Sequence, residues 1–63
     1  MQEQNAHTFA RRLFDRMGHR AEAYVAQKIE ELDKVSDDQG VADWQRVRRA
    51  MQIIRQEELR QIH

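Results

Sequence analysis

The chain has 63 residues, with eleven Lys or Arg against eleven Asp or Glu, no Cys and no Pro. That length allows one small domain, which buries only about 60% of its unfolded surface, and the lack of Cys excludes disulfide staples and thiolate metal sites. Neutral balance and a pI near 6.8 lack the overall positive charge common in nucleic-acid-binding domains.

The N-terminal run Met1-Gln-Glu-Gln-Asn-Ala-His has no apolar stretch of the kind a secretory signal needs. No window approaches the roughly eighteen apolar residues of a membrane span. The expectation is a cytoplasmic protein without a membrane partner, with Met1 read as the start of a complete short chain.

The first predicted helix covers about residues 5–17 and places Ala6, Phe9, Ala10, Leu13, Phe14 and Met17 on one face. Asn5 or Thr8 is expected to cap its start. Gly18 follows. As a residue in the left-handed region it ends the helix, yet at 100° per residue the apolar stripe also continues across it.

A second helix is predicted over 19–35, with Ala21, Tyr24, Val25, Ile29, Leu32 and Val35 inward and a Glu30–Lys34 pair outward. After the polar turn Ser36-Asp37-Asp38-Gln39-Gly40, a third helix runs over 38–61. Asp37 or Asp38 is its expected N-cap, and Ser36 with Gln39 matches a capping box. Trp44, Val47, Met51 and Ile54 follow a 3-4-3 spacing and form one apolar stripe.

β-branched residues are sparse and never alternate, so the fold class is all-α. We expect one domain over 1–63, a small three-helix bundle with Tyr24, Val25, Ile29, Leu32, Trp44, Val47 and Ile54 in its core. The alternative is a long two-helix hairpin, continuous through Gly18, that dimerises into a four-helix bundle.

Charge is segregated along the chain. Residues 1–20 carry Arg11, Arg12, Arg16 and Arg20 against Glu3 and Asp15. Residues 21–43 carry seven carboxylates against Lys28 and Lys34, and residues 44–63 carry five Arg against Glu57 and Glu58. Basic ends around an acidic middle suit an isologous homodimer, with Phe9, Phe14 and Met51 expected near its axis.

The run Gly18-x-x-Ala21-x-x-Tyr24-Val25-x-x-Lys28-Ile29-x-x-Leu32, followed by Asp37-x-x-Gly40-Val41-Ala42-x-Trp44-x-x-Val47, resembles a family of small uncharacterised bacterial helical proteins. The likeness spans about residues 9–54. At His19 and Arg20 the chain departs from the acidic residues that the family has there. The resemblance implies a helical fold and no activity.

Chemistry-bearing motifs are sparse. His7, His19 and His63 lack the i,i+4 spacing of helical metal ligands. Val41 and Trp44 interrupt any calcium-loop pattern after Asp37, and Gly40 has no phosphate-loop context. Neither Ser36 nor Thr8 has a His at a spacing that would turn it toward the hydroxyl, since His7 and Thr8 are at i,i+1 on the predicted helix. No catalytic, cofactor or metal residue is therefore assigned, and the chain is read as not an enzyme.

Two functional expectations remain. The first is a small regulatory or interaction protein that binds another protein, or itself, through apolar helix faces. The second is a small nucleic-acid-binding regulator using Arg46, Arg48, Arg49 and Arg55. Their partner-binding residues are those arginines together with Phe9, Phe14 and Met51.

Overall fold

Two backbone breaks divide the chain into three helices in the computed structural model, which describes residues 2–61. They are α1 (Glu3–Met17), α2 (Arg20–Lys34) and α3 (Asp38–Gln61). The first break is Gly18, at φ 61° and ψ −140°. This is the mirror image of extended backbone rather than the left-handed helical region expected, and glycine reaches it because it has no Cβ. The Gly18 N–H donates to the Phe14 carbonyl at 2.8 Å, and the Gly18 carbonyl accepts from the Ala21 N–H at 3.1 Å. One residue thus closes α1 and opens α2, so the uninterrupted hairpin is not formed.

The second break is a Schellman closure built on a serine. Ser36 has φ 57°, its N–H donates to Asp33 at 3.1 Å, and the Asp37 N–H donates to Leu32 at 2.9 Å. Those two bonds satisfy carbonyls that the end of α2 would otherwise leave open. A β-carbon in this conformation costs roughly 1 kcal/mol or more. Ser36→Gly should therefore stabilise the domain by about 0.5–1 kcal/mol in urea unfolding, after allowing for the added freedom of the unfolded chain. An unchanged or lower midpoint would contradict the strain.

Asp37 then caps α3. Its Oδ1 accepts the Gly40 N–H at 3.0 Å, and its carbonyl accepts the Val41 N–H at 2.9 Å. The Ser36–Gln39 capping box does not form, because Ser36 is committed to the left-handed turn and the Gln39 amide donates to Asp43 at 3.4 Å. A Cβ on Gly40 would lie 2.8 Å from the capping carboxylate and 3.1 Å from Leu32 Cδ1. The cap and the α2 terminus converge on that spot.

Other local expectations are corrected. No side chain caps α1, which starts after Gln2; Asn5 lies inside the helix, and Thr8 donates to the Gln4 carbonyl at 3.2 Å. Glu30 and Lys34 make no ion pair; Lys28 reaches Glu31 at 3.5 Å and lies 5.5 Å from the Tyr24 ring centre.

The helices run up, down and up. Glu22 meets Arg55 while Leu32 lies beside Gly40, so α2 is antiparallel to α3. Gln4 and His7 lie near Arg46 and Arg49, and Phe14 lies near Glu58, so α1 runs parallel to it. At about 1.5 Å per residue, α3 is ~36 Å long and forms the spine of a 43 × 22 × 16 Å molecule.

Ala6, Ala10, Ala21, Val25, Val47, Ala50, Met51 and Ile54 are buried, with Leu13, Phe14, Met17, Tyr24, Ile29 and Trp44 packed around them. Leu32 is half-buried at the Gly40 corner, outside that cluster. Trp44 joins all three helices, its ring edge-on to Phe9 of α1 at 5.6 Å and to Tyr24 of α2 at 6.0 Å.

Candidate protein-docking groove

Beside the Phe9–Trp44 contact, part of the seam between α1 and α3 is lined by small residues. Ala6 and Ala10 are one turn apart on α1 and fully buried, and Ala50 is buried on α3. Small side chains let the two backbones approach closely. Longer neighbours then rise on either side of the seam as walls. The result is a groove of about 450 Å³ lined by Gln4, His7, Arg46, Arg49, Ala50 and Ile53.

The groove has an apolar floor and a cationic or neutral rim, with no carboxylate among its described lining residues. Ile53 is 50% exposed there. Arg46 lies within electrostatic reach of Asp43. Arg49 has no ion-pair partner among the described residues. Such a surface suits an acidic segment that also carries an apolar side chain.

The four arginines singled out from the sequence do not form one patch. Arg46 and Arg49 flank the α1 side of α3, whereas Arg48 lies on the α2 side in a smaller recess with Ala23, Ala26 and Gln52. Arg55 is engaged: its Nη1 donates to both carboxylate oxygens of Glu22, at 3.0 and 3.1 Å. Across the molecule, Arg11 comes within 4.0 Å of Glu58. The basic surface is thus divided and partly neutralised by the fold itself.

The three apolar partner residues also separate. Met51 is only 1% exposed and belongs to the core, which removes it from any partner surface. The stripe that seemed available to a partner is covered by α1 and α2 together. Phe14 is half-buried against the same core, and Phe9 is 37% exposed with its edge against Trp44. Among the described residues, Ile53, Leu59 and Val35 are the other large apolar side chains left open, and none was expected at a binding surface. Ile53 had a legible signal, since it falls four residues after Arg49 and seven after Arg46.

No family model, curated protein or solved structure matches the chain. His7 lines the groove and His19 sits beside Gly18 at the far end of α1. His63 lies outside the described residues. Among the described residues no three His, Asp or Glu side chains gather as a metal site, and no helix is long and apolar enough to cross a membrane.

Proposed function

We propose that this chain is a small interaction protein that docks another protein, or a second copy, along the Arg49–Ile53 edge of the α1–α3 groove. One observation supports the reading: exposed Ile53 lies in a groove with Ala50, Arg46 and Arg49, and no carboxylate is among its described lining residues. A regulatory role and a cytoplasmic location belong to the same proposal.

Ile53→Asp tests it. Half-exposed, Ile53 can change without emptying the core, so helicity by circular dichroism should persist. Used as bait in a lysate of the native host, the wild-type chain should retain discrete protein that the variant loses at least about tenfold, a loss worth roughly 1.4 kcal/mol. Equal capture by both would reject the groove as the docking site.

Nucleic-acid binding is the second reading, favoured by Arg48 and Arg49, which have no ion-pair partner among the described residues. It is the weaker one, because Arg55 is engaged by Glu22 and the rest lie on different flanks of α3. Phosphate contacts would give a steep fall of log affinity with log salt. No anisotropy change with duplex or single-stranded probes at low salt would dispose of it.

A further inference from the structure

The surface between α1 and α3 changes sign along its length. At the start of α1 the groove presents His7, Arg46 and Arg49, with no carboxylate among its described lining residues. Toward Gly18, the recess lined by Phe14 and His19 instead has Asp15, Glu22 and Glu58 among its described lining residues, with Arg55 as their counter-charge. That arginine is already engaged by Glu22, at 3.0 and 3.1 Å. An acidic occupant is therefore drawn to the first end and repelled by the second.

Within the groove, Arg49 is the cation left for a partner. Arg46 shares its charge with Asp43, whereas Arg49 is exposed and has no ion-pair partner among the described residues. Ile53 follows Arg49 by one helical turn, about 6 Å, and is 50% exposed beside buried Ala50. Past Ile53 the same stripe reaches Glu57 and Arg60, three residues apart and of opposite sign. The excess of positive charge thus ends at Ile53.

We infer that the groove's occupant is a helical segment of another protein that carries a carboxylate and an aliphatic side chain one turn apart. The inference rests on the reading of the Arg49–Ile53 edge as a docking surface and names the chemistry of what docks. The planar guanidinium of Arg49 accommodates both oxygens of one carboxylate. The aliphatic group, four residues away on the occupant, covers Ile53 and the Ala50 methyl. An exposed ion pair adds little affinity, so Arg49 selects sign and register while Ile53 supplies the apolar contact.

Fluorescence anisotropy of labelled peptides on the full chain tests this. The probe is an alanine-based helical peptide with Glu and Leu at i,i+4. One control carries Lys in place of each Glu, and the other sets Glu and Leu on opposite faces. The Glu–Leu peptide should bind about fivefold tighter than either, the upper range for one exposed ion pair. Arg49→Glu should invert the preference, so that the Lys–Leu peptide binds better, and Ile53→Ser should weaken the Glu–Leu peptide. Both positions are exposed, and circular dichroism checks that each variant is folded. Should Arg49→Glu unfold, Arg49→Gln must still abolish the discrimination between Glu and Lys.

Equal binding of the Glu and Lys peptides, or a preference that Arg49→Glu leaves unchanged, overturns the inference. So does a wild-type chain that sediments at twice 7.6 kDa and returns to 7.6 kDa on Arg49→Glu, because a second copy then fills the groove. If the peptides show no preference while Ile53→Asp still loses a captured host protein, the acidic chemistry fails and the docking edge stands. If the peptides show no preference and Ile53→Asp captures as well as the wild type, both fail.

Discussion

Trp44→Ala is expected to lower the stability of the domain by about 3 kcal/mol, at the low end for deletion of a large aromatic because the indole is only partly buried. Among the described residues the indole is the one side chain with ring contacts to both other helices, edge-on to Phe9 and to Tyr24. Each such pair contributes about 0.5–1.5 kcal/mol beyond the area it covers. A domain this small has little stability to spare, often no more than about 3–5 kcal/mol. Urea unfolding followed by circular dichroism should show a large fraction of the molecules unfolded without denaturant. Trp44→Phe, which keeps an aromatic edge in place, should recover much of the loss. An unchanged unfolding midpoint for the alanine variant would show that the indole does not join the three helices.

Gly18→Ala should cost about 2 kcal/mol, even though no heavy atom beyond its own chain neighbours stands within 4 Å of where the new methyl would go. The penalty is wholly conformational: φ 61° with ψ −140° is a region that L side chains rarely adopt, and such strain costs about 1–3 kcal/mol. The sign makes this test discriminating. If α1 and α2 were one continuous helix, the same substitution would stabilise it by about 1 kcal/mol through helix propensity. A raised melting temperature would therefore favour the long hairpin over the three-helix bundle.

The helices and their limits were legible because periodicity and two punctuation sites carry them. Gly18 and the Ser36–Gly40 turn mark both breaks, and the observed ends fall within two residues of those expected. What periodicity could not say was how much of α3 the chain would cover. A stripe looks the same whether one helix or two lie against it. Here α1 takes the Ala50 flank and α2 the Met51 flank, so Met51, expected at a partner surface, is enclosed instead.

The candidate site was less legible for a similar reason. Arg55 looks available until Glu22, 33 positions away, is brought beside it. The groove depends on Ala6 and Ala10 being buried at a close crossing, a tertiary fact that their presence on an apolar face only allows. Ser36 was misread because its side chain suits a cap, whereas the backbone of the turn demanded a positive φ there.

The alanine seam also sets how the molecule breathes. Over residues 4–10, α1 meets α3 through the methyls of Ala6 and Ala10 and the Phe9–Trp44 ring contact. Peeling away those first two turns exposes less apolar surface than separating α2, which contributes Ala21 and Val25 to the common core with Tyr24 and Ile29 packed against it. Local opening and amide exchange should therefore begin at the N-terminal half of α1, as a sub-global unit distinct from the α2–α3 pair. Because the groove has one wall on each helix, any occupant that touches both walls binds only the closed form. Occupancy and order of the first two turns of α1 are thermodynamically linked, so the chain can report a bound partner as a gain of helix at its own N-terminus.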